Sequence, residues 1–278
     1  MKDKIKVQNF YKYLVSLFII LVVIGPLLVV LFTSFKTKEH MVTVSPLLLP
    51  PVSEITLENY KEVFTSKYLP TAIKNTILIL VVSLAFNVIL GSITAYILER
   101  FQFRFKKFVV SLFFLGMMVP SFVMEISRFK VIQSLGLYNS LGAPILIYIA
   151  ADLMQLYIYR QFISQIPHEL EESALIDGCG YFRIFAQIIF PLLKPATATV
   201  LIIKTVNIIN DMYIPYLYMP KSKLKVLSTF LMSYASAQQG SWQTLSAAIV
   251  VVVIPTVVLY VMFKKNIIEG ISAGAVKG

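Results

Sequence analysis

Six stretches of about twenty apolar residues, separated by short charged or proline-containing segments, leave this chain few ways to fold. They fall at 14–34, 73–98, 108–124, 141–159, 196–219 and 243–263. A helix needs about 20 mostly apolar residues to cross the hydrocarbon of a bilayer, and backbone there must satisfy its own hydrogen bonds, which selects helices. With 58% hydrophobic and 14% charged residues and a mean hydropathy of +0.79, a soluble core is excluded. The expected fold is all-α and polytopic: a segment 1–13, six transmembrane helices over 14–263 with a loop at 160–195, and a tail at 264–278. Lys2, Lys4, Lys6 and Lys12 precede the first run as in a signal peptide, but the run is too long for one and no A-x-A site follows, so a retained anchor is expected. Pro26, Pro120, Pro215 and Pro255 lie inside the runs and are expected to kink the helices without breaking them.

Lys and Arg in alternate loops set the orientation. The termini, the second loop (Arg100, Arg104, Lys106, Lys107) and the fourth (Arg160, Arg183, Lys194) carry 14 such residues, against nine on the other side, at Lys36, Lys38, Lys61, Lys67, Arg128, Lys130, Lys221, Lys223 and Lys225. The first side is expected to be cytoplasmic, with both termini inside. Membrane orientation also accounts for the net charge of +11, since the basic residues form short clusters between apolar runs instead of a stripe for nucleic acid. Outside, 35–72 has turn signals at "SPLLLPP" and a short helical pattern at "TLENYKEVF", where Leu57, Tyr60 and Phe64 share a face. Cys179 is the single cysteine, so no disulfide forms within the chain, and His40 and His168 lack metal-ligand spacing. Neither a Ser/His/Asp nor a Cys/His set suggests an enzyme.

Between the fourth and fifth runs lies "PHELEESALIDGCG", at 167–180. Pro167 suits a first turn, Glu169, Glu171 and Glu172 suit the positive end of a helix dipole, and Gly178 suits a left-handed C-terminal cap. A helix of about three turns follows, with Leu170, Ala174 and Asp177 on one face, and then a second amphipathic helix, "YFRIFAQIIFPLLKP", ending near Pro191. On these features alone, a solvated loop helix and a docking element are both open. "EESALIDG" followed by "FRIFAQIIFPLLKP" resembles the EAA loop of ABC importer permeases, with Glu172, Ser173, Ala174, Asp177, Gly178 and Pro191 in the motif positions; Ser173 stands where Ala is usual and Phe190 where Leu is usual. The resemblance covers almost the whole chain and is closest to the binding-protein-dependent sugar-transport branch, similar to the maltose permease G protein, through "TLENYKEVF", "LGLYNS", "RQFISQIPHELEE" and "EGISAGAVKG". Ile209-Asn210 replaces the Trp-Asn common in that branch.

The resemblance implies a type I importer permease fold in the cell membrane, forming half of an alternating-access path. It implies ABC ATPase subunits docked at the EAA-type helix, a second homologous permease, and an extracytoplasmic substrate-binding protein. No cofactor is expected on this chain, which lacks G-x-x-x-x-G-K-[ST]; the partner ATPase would use ATP and Mg. Within the spans, a mid-bilayer charge costs about 2.5–3.5 kcal/mol on insertion scales, so Lys204, with Asn207 and Asp211 at i+3 and i+7, is expected either to line an aqueous path or to make a stabilising contact with the neighbouring permease subunit. Lys74, near a span end, can snorkel, and Asp152 is expected to pack against another helix. An ion-coupled secondary transporter is the alternative, and would want a buried ionisable pair and no ATPase-docking helix. Cysteines introduced at Ser66 and Ser222 should label from outside in intact cells, and one at Ser173 only after permeabilisation; labelling of Ser173 in intact cells would reverse the orientation.

Overall fold

A computed structural model describes the backbone over 2–235 and 241–275 and side chains over 12–40, 43–235, 241–258 and 261. The side chains of Lys2, Lys4, Lys6, Lys264, Lys265 and Lys277, counted above for orientation, lie outside the described residues, as do the ends of the sixth apolar run and of the tail. All regular structure among the described residues is helical: α1 (Lys2–Thr33), α2 (His40–Thr43), α3 (Glu58–Thr65), α4 (Leu69–Arg100), α5 (Lys106–Met118), α6 (Ser121–Ser134), α7 (Gly142–Ile149), α8 (Leu153–Ile163), α9 (Glu169–Ile176), α10 (Tyr181–Ile184), α11 (Phe190–Leu192), α12 (Lys194–Asn210), α13 (Tyr213–Tyr218), α14 (Leu227–Ala235) and α15 (Trp242–Ala275). A π-helical turn, Phe185–Ile189, joins α10 to α11. The chain divides into two compact units, Met1–Leu69 with Phe230–Pro255, and Pro70–Thr229 with Thr256–Gly278.

In the first unit, α1 carries an apolar span, Lys12–Thr33, with its side chains outward. Its C-terminal end is closed by Asn59 Nδ2, which donates to the carbonyls of Ser34 and Lys36, both at 2.9 Å, and by a 2.6 Å contact between Ser34 Oγ and Tyr60 OH. Lys36 is fully buried, with its ammonium on the Ser45 carbonyl. The short helix expected at "TLENYKEVF" is α3, but its inward face is Tyr60 and Val63, while Leu57 and Phe64 point outward. The reason is the fastening at Asn59 and Tyr60, which turns that side of α3 towards the end of α1. At the start of α15, Gln243 donates to the Thr37 carbonyl and Thr244 to Glu62.

Among the described residues, the second unit contains one unbroken span, α4, and three bent helix pairs. Breaks replace the expected kinks. The run at 108–124 splits into α5 and α6 with a 110° bend, because Pro120 has no N–H to continue α5 and forces Val119 extended, at φ −82° and ψ 122°. The run at 141–159 splits into α7 and α8 with a 44° bend. The run at 196–219 breaks at Asp211, whose backbone is extended at φ −71° and ψ 114°, so Pro215 lies in the separate helix α13 and kinks nothing in α12. The second amphipathic helix runs Tyr181–Leu192 and turns through 75° into α12; Pro191 cannot donate to the Gln187 carbonyl, and the π turn, Phe185–Ile189, takes in that residue. Pro26 and Pro255 do sit within continuous helices.

Side chains close these breaks. Asn87 of α4 donates to the carbonyls of Tyr148, Ile149 and Ala150 at 2.9–3.3 Å, and Asp152 caps α8 by accepting from the Gln155 amide at 2.8 Å. Gln155 reaches back to the Asn87 carbonyl at 3.0 Å and lies against Gly91, where an added Cβ would stand 2.1 Å from its Nε2. On one side of this polar layer Tyr96, Leu156, Tyr159, Ile163, Ile184 and Leu193 form a core with Ala174 of α9; on the other, Ile79, Ile132, Ile214 and Tyr218 form a second. Gly91→Ala should therefore lower stability by about 1–3 kcal/mol through overpacking, read as the midpoint of heat-induced aggregation in detergent, and adding Gln155→Ala should recover part of the loss.

Candidate functional site

The acidic stretch forms α9, with Glu169, Glu171 and Glu172 in its first turn, where the N–H groups of a helix start favour negative charge. Pro167 lies just before the helix, not in it. The other end closes as expected. Gly178 has φ +80°, the Cys179 N–H bonds the Ala174 carbonyl at 2.9 Å and the Gly178 N–H bonds the Leu175 carbonyl at 3.0 Å, which together make the Schellman motif. Gly180, extended at φ −76°, then opens α10.

Burial sorts the predicted residues. Glu172, Ser173, Asp177 and Gly178 are exposed, and Ala174 is buried. Of the expected face of Leu170, Ala174 and Asp177, only Ala174 turns inward; it is joined by Glu171, three residues earlier and 7% exposed. A buried carboxylate needs a cation and hydrogen bonds, and Arg100, the last residue of α4, supplies the cation. Its Nε donates to Glu171 Oε1 at 2.5 Å, its second terminal nitrogen to the Ile166 carbonyl at 2.6 Å, and its first to His168 Nε2 at 2.9 Å. Tyr96 OH donates to Glu171 Oε2 at 2.6 Å. Sequence reasoning missed Glu171, Arg100 and Tyr96. The available signal was the spacing of Glu171 to Ala174, which puts an acid on the face that carries the small residue.

Turned inward by Glu171 and Ala174, α9 leaves Leu170, Leu175 and Ile176 in the open, with Ile176 87% exposed, and the start of α10 adds Tyr181 and Phe182. An apolar tip flanked by Glu172 and Asp177, on a helix held by rigid contacts behind, can seat in another protein's groove.

The stripe Lys204, Asn207 and Asp211 does not act as one group. Lys204 Nζ donates to Asp152 Oδ2 at 2.5 Å, with Lys204 largely buried and the carboxylate about half exposed. Asp152 thus packs against another helix, as expected, through an ion pair. Asn207 is exposed. Asp211 accepts from Tyr148 OH at 2.9 Å and from the Ile214 amide at 3.1 Å, while its carbonyl accepts from Ser228. A cavity of about 730 Å³ lined by Leu98, Phe113, Met117, Leu156 and Arg160, among others, includes none of the three.

Residues 87–272 match the family described as "Binding-protein-dependent transport system inner membrane component", a range that takes in Arg100, α9 and Lys204. The chain belongs to this family. It is a permease, the membrane-spanning subunit of an ATP-driven importer, and neither an enzyme nor an ion-coupled carrier. It is 30% identical over 283 residues to the galactooligosaccharides transport system permease protein GanQ of Bacillus subtilis, covering 100% of this chain and 99% of that one. It is 32% identical over 255 residues to the melibiose/raffinose/stachyose import permease protein MelC of the same organism, covering 91% of each. Its fold matches a permease chain of a bacterial ABC transporter that imports the acidic polysaccharide alginate, with a TM-score of 0.83, 21% identity, and 94% and 96% of the two chains covered.

An added Cβ at Gly178 would meet nothing within 4 Å, so the cost of a side chain in the isolated permease comes from the backbone alone. Gly178→Val should cost about 1–2 kcal/mol there and, by unwinding the cap, weaken ATPase co-purification or uncouple hydrolysis from uptake. Gly178→Asn, which tolerates the left-handed region, should restore both. Were Val as good as Gly in co-purification and coupled hydrolysis, the cap would have no part in coupling.

Proposed function

We propose that this permease imports sugars or oligosaccharides, paired with a second homologous permease, fed by an extracytoplasmic binding protein and driven by separate ATPase subunits that use ATP and Mg. The observation that carries the sugar reading is the end-to-end match to permeases named for galactooligosaccharides, for melibiose, raffinose and stachyose, and for starch degradation products. In this reading the chain has six spans over 14–263, the loop 160–195 and both termini in the cytoplasm, and α9 is the coupling helix. Glu172, Ser173, Asp177 and Gly178 form its docking surface, and Ala174 sets it close against the permease core.

The same proposal puts Lys204, Asn207 and Asp211 beside the transport path. The Lys204–Asp152 pair supports it, because its carboxylate stays half exposed while the ammonium is held. Asn207 has its amide open, whereas Asp211 is engaged by α7 and α13. Asn207 is then the member of the stripe with both a donor and an acceptor free for a sugar hydroxyl.

Uptake of labelled galactooligosaccharide, raffinose, maltotriose and methionine, in cells with and without the gene, tests the substrate class. Loss confined to one or more saccharides is expected; unchanged saccharide uptake, or loss of methionine uptake alone, would overturn it. Lys204→Leu should insert normally yet reduce saccharide uptake or change its preference. Unchanged uptake of every saccharide would assign the ion pair to packing.

A further inference from the structure

If α9 receives movement from an ATPase, that movement must leave α9 by some route, and the chain on either side is a poor one. Residues 164–168 and 177–180 are turns without helical structure. The helix itself has eight residues, of which only Glu171 and Ala174 are buried. A helix so short has little stability of its own, and one alanine gives it little hold on the core.

The firm connection is the cluster at the end of α4. Arg100, whose side chain is 5% exposed, grips the carboxylate of Glu171, the carbonyl of Ile166 and the ring of His168, so one guanidinium holds the first turn of α9 and the segment leading into it. Tyr96, one turn earlier on α4, takes the other oxygen of Glu171. A planar fork with several donors fixes orientation in a way a flexible ammonium does not. Burial of such a pair is weak evidence for stability and better suited to fixing a geometry.

From Arg100, α4 runs without a break to Leu69 and has no proline beyond Pro70 in its first turn. At its far end Asn75 Nδ2 donates to the carbonyls of Lys223 and Lys225, at 3.2 and 2.9 Å, and Thr76 Oγ1 accepts from the Leu227 amide at 2.9 Å. At about 1.5 Å per residue, Asn75 and Arg100 are roughly 37 Å apart along one helix. The segment fastened at that end, 221–227, belongs to the lysine-rich loop between the fifth and sixth apolar runs.

We infer that Arg100, Glu171 and Tyr96 are positioning residues for energy coupling. They lock α9 to α4, and α4 acts as the rod that carries its movement to the 221–227 segment on the opposite side of the membrane. This rests on the proposal that α9 is the ATPase-docking helix. A charged pair that merely stabilised the fold would affect how much protein is made and how well it survives heating, but not the ratio of transport to hydrolysis.

The test uses the reconstituted importer with its ATPase and binding protein, carrying Arg100→Gln, Arg100→Lys, Glu171→Gln, or the double Arg100→Gln/Glu171→Gln. Each complex should retain its ATPase on purification and hydrolyse ATP. Substrate moved per ATP should fall by about tenfold in the Gln variants, the size of a typical coupling between sites, and less in Arg100→Lys. The double variant should be no worse than the worse single, because both act through one contact. In parallel, a cysteine at Ser222 should change its labelling rate with nucleotide in the otherwise native complex and not in Arg100→Gln. A wild-type ratio in both single Gln variants, additive losses in the double, or nucleotide-dependent labelling that survives Arg100→Gln would overturn the inference. Nucleotide-blind labelling of Ser222 in a native complex that keeps its ATPase would overturn it too, whereas failure of the docking reading would look different: the native complex would itself lack ATPase.

Discussion

One side-chain amide, that of Asn87, holds three successive backbone carbonyls left open where α7 stops short of α8. Hydrocarbon offers no water to an open carbonyl, so a helix that breaks inside an apolar run needs another donor, from a neighbouring element or from a water-filled cavity. That constraint explains much of the larger unit. Asp152 closes the start of α8 by accepting from its third amide, and Asp211 does the same for α13 while taking the hydroxyl of Tyr148. Polar side chains of the apolar runs thus reach the irregular backbone, from a neighbouring helix in the case of Asn87 and from the break itself in the cases of Asp152 and Asp211. Gly91 belongs to the same arrangement, because only a residue without a side chain lets Gln155 lie against α4 and reach the Asn87 carbonyl.

Two ion pairs follow the breaks. Asp152 uses one oxygen on the backbone of α8 and the other on Lys204, so the lysine in the middle of α12 is neutralised at a helix start, where a carboxylate is already favoured by the local dipole. Glu171 repeats the pattern in the first turn of α9, with Arg100 at the C-terminal end of α4, where the dipole favours a cation. In both pairs one partner belongs to a continuous helix and the other to the beginning of a short one, and the ion pair fixes how the short helix is set against the long one.

Fold class and family position were legible because they depend on properties that a sequence displays directly: run length, composition, and an acidic helix start ending in "DG". The left-handed Gly178 was readable for the same reason, since a helix followed by glycine has few other ways to stop. Which side of a short helix faces inward was not. The apolar periodicity of α3 favoured Leu57 and Phe64, and that of α9 favoured Leu170, yet polar fastenings at Asn59, Tyr60 and Glu171 decided the rotation of both helices. Such contacts link residues 23 to 75 positions apart, and a single sequence gives no sign of which pairs meet. Proline misled in the other direction. Pro26 lies inside an unbroken helix while Pro120 ends one, and the difference lies in whether the neighbourhood continues the helix, which no local pattern records.

The contrast between α4 and the helices around it bears on how such a permease can move. A broken helix with extended residues at its joint, such as Val119 or Asp211, can change its angle at the cost of a few backbone dihedrals. An unbroken helix held at both ends cannot bend cheaply, and its ends must move together. In the larger unit every apolar run described in full is broken except that of α4, and α4 is also the helix whose two ends carry the polar fastenings to α9 and to the 221–227 segment. Compliance and stiffness are therefore separated by element. A change of angle between the two halves of a broken run can open or close a passage, while the stiff helix keeps the two faces of the permease in step, so that an opening on one side is tied to a change on the other.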